Sequence, residues 1–297
     1  MSAPGTEVFG DARGGLLPAP SEVELGRRSY RRSRQRRSTW VALLSTLVFS
    51  TLLVVGTVSA PGWPRTQQSF LDPDVARRAF PLVLEGLWLN LRVLVVAAVC
   101  VLALGLAVAL LRTVRGPVWA PVRFVMALYT DVFRGMPLIV LLYIIGFGVP
   151  GLRLQGVPTD KVVLGTTAIV LVYSAYVSEV FRAGIESVHP SQRAAARALG
   201  LTHRQTTRLV VLPQAVRNVT PPLLNDLVAL QKDVGLISVL GAIDAVRQAQ
   251  IVSANTGNFT PYIVAALLFV LLAVPTARLA DWATARARRR QQAGSVL

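Results

Sequence analysis

The chain has 297 residues, of which 53% are hydrophobic and only 15% are charged. Soluble domains carry roughly 25% charged residues, so this composition and the mean hydropathy of +0.53 argue against an ordinary soluble enzyme or a disordered chain. The formal net charge is nevertheless +16. A membrane protein with basic cytoplasmic loops explains this charge better than a nucleic-acid-binding protein does.

The N-terminal segment, residues 1–39, is polar and contains seven arginines between Arg27 and Arg37. We expect a disordered basic cytoplasmic tail that either lies on anionic lipid headgroups or acts as a retention signal for topology. Residues 40–60 carry no charge, and about 20 such residues cross a bilayer as a helix. Residues 58–60 look like a signal-peptide cleavage site, but the apolar core of a signal peptide is only roughly 7–15 residues long. A retained N-terminal transmembrane anchor is therefore expected.

Five further apolar spans follow, and each is predicted to be a helix because lipid offers the backbone no hydrogen-bond partner. They cover residues 93–111 (with a helix start near Leu84), 124–149, 162–178, 219–243 and 260–276. The span 219–243 is the weakest, since three charged residues interrupt it. The predicted fold class is thus all-α, a polytopic membrane helix bundle with about six transmembrane helices.

The distribution of basic residues predicts the orientation of these spans, because cytoplasmic loops are enriched in Lys and Arg. Segments 1–39, 112–123, 182–217 and 278–297 hold 22 basic residues, and segments 61–80, 147–161 and 244–259 hold 6. Both termini are therefore expected in the cytoplasm of a multi-pass protein of the cell membrane.

The predicted cytoplasmic loop 182–217 is too long for a simple hairpin. Its alanines and arginines favour a helix, with Ser191 as the expected N-cap and Gly200 as the expected stop. Thr202 is expected to cap a second helix over residues 203–212, which Pro213 interrupts. Such a helical hairpin is expected to dock onto another protein, and the alternative is a solvated connector.

Within this loop, residues 194–196, Gly200, Val210 and Leu212-Pro213 have the spacing of the EAA loop, E-A-A-x3-G-x9-I-x-L-P. The chain resembles ABC importer permeases, in particular the polar amino acid subfamily for histidine, glutamine, glutamate and opines. Further resembling stretches are residues 133–138 (FRGMPL), 175–185 (AYVSEVFRAGI), 212–215 (LPQA) and 230–233 (LQKD). The resemblance runs over about 84–281, which gives a permease domain at 82–281 followed by a basic cytoplasmic tail at 282–297.

The resemblance implies a permease subunit that translocates a glutamate-, glutamine- or histidine-like amino acid by ATP-driven alternating access. The first loop helix would be the coupling helix on a separate ABC ATPase subunit, which holds ATP and Mg²⁺. The other implied partners are a second permease subunit, an extracytoplasmic amino-acid-binding protein and membrane lipid. The implied coupling residues are Gln192, Arg193, Ala194, Ala195, Ala196, Arg197, Gly200, Leu212 and Pro213. No catalytic residue, cofactor or metal is expected in this chain, and no Walker-type phosphate loop occurs in it. An ion-coupled secondary carrier and a membrane anchor without transport activity remain the alternatives.

Several positions depart from the family pattern. Ala194 stands where the family has glutamate, Ser191 where it has glycine and Met136 where it has threonine. The family sequence Lys-x-Thr-Ser-Leu is Lys-Asp-Val-Gly-Leu at residues 232–236. These departures suggest the more divergent half of a heterodimer, an idea that isolation as an active homodimer would contradict.

Charged residues inside membrane spans are candidates for function because they are costly there. Asp131 and Arg134 are three residues apart, which predicts either a local ion pair or, with the break at residues 135–137, a gate. Glu179 is expected to pair with Arg182. Lys232 and Asp233 are expected either to line the translocation path or to form a structural ion pair. The candidate path residues are therefore Arg134, Gly135, Pro137, Glu179, Lys232 and Asp233.

Overall fold

The computed structural model describes residues 22–114 and 116–293, and 87% of these residues are helical. The described residues contain no strand. The helices are α1 (Glu22–Val58), α2 (Trp63–Phe70), α3 (Pro73–Thr113), α4 (Ala120–Gly135), α5 (Leu138–Tyr143), α6 (Val149–Gly151), α7 (Lys161–Glu186), α8 (Pro190–Ala198), α9 (His203–Thr206), α10 (Leu212–Asp233), α11 (Ala245–Thr256) and α12 (Thr260–Ala293). Short 3₁₀ segments at Pro117–Trp119 and Val234–Leu240 and π turns at Ile144–Gly148 and Thr207–Val211 join some of them.

Four helical segments in the described residues are long and apolar enough to span a membrane. They are Ser38–Val58, Trp63–Thr113, Lys161–Glu186 and Thr260–Arg286. A fifth span arises if the bent pair Pro117–Gly135 and Leu138–Gly151, which meet at 104°, is counted as one. The predicted all-α membrane helix bundle is confirmed, but the described chain supplies four or five spans rather than the predicted six.

The fifth predicted span, residues 219–243, is not a continuous membrane helix. Helix α10 begins at Leu212 and ends at Asp233, and the chain continues as the 3₁₀ segment Val234–Leu240. The four charged residues in α10, Arg217, Asp226, Lys232 and Asp233, lower its hydropathy. Residues 219–243 therefore belong to two elements that pack inside the bundle.

Helix starts also differ from the sequence prediction. Helix α1 begins at Glu22, so residues 22–39 are helical rather than disordered, because arginine is a good helix former and the apolar helix that follows extends the same hydrogen-bond ladder. Residues 1–21 and 294–297 of the two predicted tails lie outside the described residues. Helix α3 begins at Pro73 instead of near Leu84, because the Asp72 carboxylate accepts hydrogen bonds from the first backbone amides of the helix.

Chain contacts divide the protein into two units at Pro64. In the second unit, the largest core lies where α3, α7 and α10 meet. Its buried residues are Val93, Ala97, Val101, Ile169, Tyr173, Val177, Leu230, Val234, Ile237 and Ala242. A second core joins α3 to α11 and α12. Helix α3 therefore packs against most of the other long helices of this unit.

A buried polar cluster fastens α3 to the segment that precedes α11. The Asn90 side chain donates to the Asp244 carboxylate at 3.0 Å and accepts from the Ala245 backbone amide at 3.1 Å. Asp244 is fully buried and caps α11 by accepting from the Arg247 amide at 2.8 Å. One turn before Asn90, Gly86 lies directly against the Asp244 backbone. The absence of a side chain at Gly86 permits this close contact.

Candidate functional site

The first helix of the predicted coupling loop, α8, has its N-cap two residues earlier than expected. The Ser191 amide donates to the Nδ1 atom of His189 at 3.2 Å, so His189 and not Ser191 is the N-cap. Pro190 occupies the first helical position, where its fixed φ is favourable and its missing N–H costs nothing. The cap therefore falls on the residue before the proline.

The end of α8 agrees with the sequence prediction. Gly200 adopts a left-handed φ of +82°, and its amide donates to the Arg197 carbonyl at 2.9 Å. The next amide, Leu201 N–H, reaches back to the Ala196 carbonyl at 3.2 Å. This pair of hydrogen bonds is a Schellman motif, and it turns the chain sharply after α8.

The second loop helix starts as predicted but does not end at Pro213. The Thr202 hydroxyl accepts from the Gln205 amide at 3.3 Å, and the Thr202 amide donates to the Gln205 side chain at 2.9 Å, which together form a capping box. The π turn Thr207–Val211 then leads directly into α10. Pro213 lies in the first turn of α10, where proline is tolerated in a helix.

Three side-chain contacts tie α8 and its flanking loop to the ends of α7 and α10. Arg193 Nη2 donates to the Ile185 carbonyl at 2.8 Å, and Gln214 Nε2 donates to Gln192 Oε1 at 2.5 Å. Asn218 of α10 donates to the hydroxyl of Ser187, which lies in the loop just before α8, at 2.8 Å. A displacement of α8 therefore has to move the ends of α7 and α10, or break these bonds.

The opposite side of α8 is open. Ala194, Ala195 and Arg197 are exposed, and Ala196 is buried. Leu199, at the sharp turn, exposes 83% of its surface. A shallow depression beside it is lined by Ser191, Gln192, Ala195, Ala196, Leu199, Leu201 and Val210. Small side chains next to a protruding leucine form a surface suited to docking against another protein.

An ion-pair network lies where α3 and α7 end. Glu179 accepts from Arg112 Nη1 at 2.7 Å and also pairs with Arg182. Arg182 in turn contacts Glu186 at 2.5 Å. The predicted pairing of Glu179 with Arg182 is confirmed. Glu179 therefore links α7 to the end of α3 and does not line the cavity at the break between α4 and α5.

That cavity opens at the break between α4 and α5. Its volume is about 320 Å³, and its lining residues are Met136, Pro137, Leu138, Val172, Tyr173, Tyr176, Asp226, Ala229 and Asp233. The break forms because Met136 and Pro137 adopt extended backbone conformations, and a proline disfavours helix at the residue before it. The bend moves the chain aside and leaves space against α7 and α10.

The charged groups at this cavity are two carboxylates. The Tyr173 hydroxyl donates to Asp233 Oδ2 at 2.7 Å. Asp226 Oδ2 is buried and makes no hydrogen bond within the described part of the chain. No arginine or lysine is among the described lining residues. A buried carboxylate oxygen without a hydrogen-bond donor is costly, so this cavity is suited to a ligand that brings positive charge and hydrogen-bond donors.

Arg134 lies beside the cavity and not in the predicted local ion pair. Its guanidinium carbon is 5.8 Å from the centre of the Tyr176 ring, and the Tyr176 hydroxyl donates to the Arg134 carbonyl at 3.1 Å. Within the described residues no ion pair joins Arg134 to Asp131. The prediction of that pair is wrong, because the Arg134 guanidinium lies over the Tyr176 ring of α7 instead.

The structure thus places only some of the predicted translocation-path residues at this cavity. Pro137 and Asp233 line the cavity, and Arg134 and Gly135 adjoin it, whereas the exposed Lys232 side chain is not among its lining residues. The sequence prediction missed Asp226, Tyr173 and Tyr176. A signal was present: the two aspartates are seven residues apart on α10 and the two tyrosines three apart on α7, spacings that place each pair on one helix face.

These features define a multi-pass helical membrane protein with an exposed helical loop and a charged cavity at a broken helix. Residues 102–289 match the family described as binding-protein-dependent transport system inner membrane component, and the chain belongs to this family. The resemblance to amino acid ABC importer permeases is thereby confirmed, and such permeases are transport components rather than enzymes.

Two curated relatives and one solved structure illustrate the likeness. The arginine transport system permease protein ArtQ of Bacillus subtilis is 36% identical over 205 residues, which is 68% of this chain and 90% of ArtQ. The putative glutamine transport system permease protein GlnP of Rickettsia conorii is 38% identical over 191 residues, 64% of this chain and 85% of GlnP. The crystal structure of an amino acid ABC transporter with histidines matches with a TM-score of 0.64 at 34% identity, covering 69% of this chain and 94% of that chain.

Proposed function

We propose that this chain is a permease subunit that imports a cationic amino acid across the cell membrane by ATP-driven alternating access. The observation that supports the driving force is α8, a short capped helix with an exposed outer face that is tied to two long helices. In the proposed complex α8 docks onto a separate ABC ATPase subunit, and that subunit holds ATP and Mg²⁺. Binding of ATP would move α8, and the bonds at Arg193 and Gln192 would carry the movement to α7 and α10.

The proposed topology places both chain termini and α8 in the cytoplasm. The distribution of basic residues supports this orientation, because Lys and Arg are enriched in cytoplasmic loops. An extracytoplasmic amino-acid-binding protein would then deliver solute at the opposite end of the bundle. A second permease subunit would complete the translocation path.

The acidic cavity supports the choice of solute. Asp226 and Asp233 face a space that no described lysine or arginine lines, so an ammonium or guanidinium group would supply the missing partner of Asp226 Oδ2. The Tyr173 ring offers additional cation–π contact. Relatives of the chain include permeases named for arginine and for glutamine. Both solutes carry an α-ammonium group, and the second carboxylate of the cavity favours the one with a further positive charge on its side chain.

The test is reconstitution with a cognate ABC ATPase subunit and amino-acid-binding protein. We expect proteoliposomes to take up labelled arginine or lysine only when they contain ATP, and to take up glutamate much more slowly. An ion-coupled carrier is the alternative, but it has no need of a docking helix. Uptake by the isolated chain that follows an imposed ion gradient without ATP would overturn the proposal.

Replacing the exposed Leu199 with aspartate is expected to weaken ATPase binding. Burying a leucine stabilises an interface by about 1.5–3 kcal/mol, so we expect at least a tenfold loss of affinity, with membrane insertion unchanged. The measurement is co-purification of the ATPase with the detergent-solubilised permease. The control is Arg204→Asp, which introduces the same side chain at an exposed position of α9. Equal ATPase recovery with Leu199→Asp and with wild type would contradict docking through α8.

Replacing Arg193 with methionine is expected to separate ATP hydrolysis from transport. Methionine fills similar space but cannot donate to the Ile185 carbonyl, and a hydrogen bond from a charged group contributes about 1.5–3 kcal/mol. We expect ATPase binding to persist while solute carried per ATP falls about tenfold. The exposed Arg208, in the same loop but outside α8, provides the control Arg208→Met. A normal transport-to-hydrolysis ratio in Arg193→Met would exclude Arg193 as the mechanical link.

A further inference from the structure

A groove of about 660 Å³ runs between the membrane helices α3 and α7. One of its walls is a single face of α3 that extends from Leu89 to Leu104, and the other wall belongs to residues 162–171 of α7. Val96 and Val163, one on each wall, are 53% and 47% exposed, so the groove is open along its side. At about 1.5 Å per residue the α3 wall is about 22 Å long, which exceeds the depth of one leaflet, half of a hydrocarbon core of about 30 Å.

Almost the whole length of the groove is apolar. Its two hydroxyl groups, of Thr166 and Thr167, donate to backbone carbonyls of their own helix at 2.6 and 2.8 Å, so neither has a hydrogen left to donate to a ligand. The Cys100 thiol is only a weak donor. Except at Arg92, the groove therefore offers an occupant apolar contact and no free strong hydrogen-bond donor.

Arg92 is the one charged residue that lines the groove, and it lies near one end. Its guanidinium carbon is 5.3 Å from the centre of the Trp88 ring. Among the described residues no carboxylate pairs with Arg92. A guanidinium stacked on a ring keeps its in-plane N–H donors available, and their fork geometry matches a phosphate. Arg92 is therefore suited to bind an anion at the mouth of the groove.

The position of Arg92 along α3 corresponds to the level of lipid headgroups. Residues 93–111 carry no charge, and Arg112 at the other end of this run pairs with Glu179. The distance from Arg92 to Arg112 along the helix is about 30 Å at about 1.5 Å per residue, which equals the thickness of the hydrocarbon core. Trp88, one turn before Arg92, is of the residue type enriched at membrane–water interfaces. The groove therefore starts at one interface and descends into the hydrocarbon.

We propose that this groove binds an anionic phospholipid, with the phosphate on Arg92 and one acyl chain between α3 and α7. Charge complementarity selects this occupant, because the site is cationic at the headgroup level and apolar below it. The surrounding lipid tails are as apolar as the groove, so the contact with Arg92 decides which lipid is retained. The inference rests on the proposed function only for the topology, which places Arg92 on the extracytoplasmic side and draws the lipid from that leaflet.

Lipid retention by the full chain provides the test. The chain is purified in mild detergent, incubated with equimolar phosphatidylglycerol and phosphatidylcholine of identical acyl chains, and analysed by native mass spectrometry. We expect wild type to retain phosphatidylglycerol at least tenfold over phosphatidylcholine, whose choline neutralises its phosphate. Arg92→Met should lose this preference, and Arg77→Met, at an exposed position of α3 outside the groove, should keep it. Equal retention of both lipids by wild type, or an unchanged preference in Arg92→Met, would overturn the proposal.

Filling the groove tests the position of the acyl chain without changing any charge. We expect Val96→Trp to reduce the retained phosphatidylglycerol at least fivefold, because the indole occupies the space of the chain. Val95→Trp is the matched control, since Val95 is 63% exposed on the same helix and does not line the groove. Full retention by Val96→Trp would place the lipid outside the groove and contradict the proposal.

A photoreactive amino acid in place of Val163 identifies the occupant in native membranes. A phospholipid adduct is the expected product, and an adduct with a polypeptide in its place would show that a protein helix fills the groove, which would overturn the proposal. None of these measurements uses ATP or solute. A chain that retains phosphatidylglycerol but shows no ATP-driven uptake would therefore overturn the proposed function and leave the lipid site standing.

Discussion

Replacing Gly86 with alanine is expected to lower the thermal stability of the purified protein sharply. The added Cβ would lie 2.4 Å from the Asp244 carbonyl carbon and 2.5 Å from the Ala245 nitrogen, and these are backbone atoms that no rotamer change can move. Overpacking costs about 1–3 kcal/mol and occasionally more. Since roughly 2–4 °C of Tm corresponds to 1 kcal/mol in a chain of this size, we expect a decrease of about 5–10 °C.

Gly148→Ala is the matched control for that measurement. Gly148 has ordinary helical dihedral angles, with φ −66°, and a Cβ there meets nothing within 4 Å. Alanine favours helix over glycine by about 0.8–1.0 kcal/mol, so the control should be unchanged or more stable. Fluorescence-detected thermal unfolding in detergent measures both variants. A Gly86→Ala protein as stable as wild type would show that α3 and the Asp244 segment can separate without loss.

The contact at Gly86 illustrates which parts of the fold sequence reasoning can reach. The spans that became α7 and α12 were predicted because a long apolar run is a local property, and the bend at residues 135–137 was predicted because proline acts on its immediate neighbours. The hydrogen bond between Asn90 and Asp244 joins residues 154 positions apart. No local sequence pattern predicts a contact of this kind. The fifth predicted span was therefore extended to residue 243, although α10 ends at Asp233.

The candidate site divides in the same way. Gly200 and Thr202 were correctly assigned because a left-handed stop and a capping box depend on residues within a few positions of one another. The prediction of Ser191 as the N-cap of α8 was wrong. The observed cap is His189, and a histidine accepts through Nδ1 only in one tautomer. The cavity combines the bend, α7 and α10, so its outline could not be predicted, although the spacing of Asp226 and Asp233 on one helix face could have indicated it.

Neutralising both cavity carboxylates, with Asp226→Asn and Asp233→Asn together, is expected to abolish measurable binding of cationic amino acids. Asparagine keeps the shape of aspartate, and its carbonyl can still accept from the Tyr173 hydroxyl, so the change removes charge and little else. A hydrogen bond to a charged group contributes about 1.5–3 kcal/mol, and each 1.4 kcal/mol is about tenfold in affinity. Each single variant should therefore weaken arginine binding about 10- to 100-fold, and the double variant more.

The measurement is equilibrium binding of labelled arginine to the purified permease–ATPase complex, followed by ATP-dependent uptake in proteoliposomes. Asp74→Asn serves as the control, because Asp74 is an exposed carboxylate at the start of α3. Glutamine, which has the same backbone groups but no side-chain charge, separates two explanations. If the carboxylates select positive charge on the side chain, arginine binding falls far more than glutamine binding. A parallel loss of both solutes would mean that Asp226 and Asp233 maintain the cavity without selecting its occupant, and the assignment of a cationic solute would then be wrong.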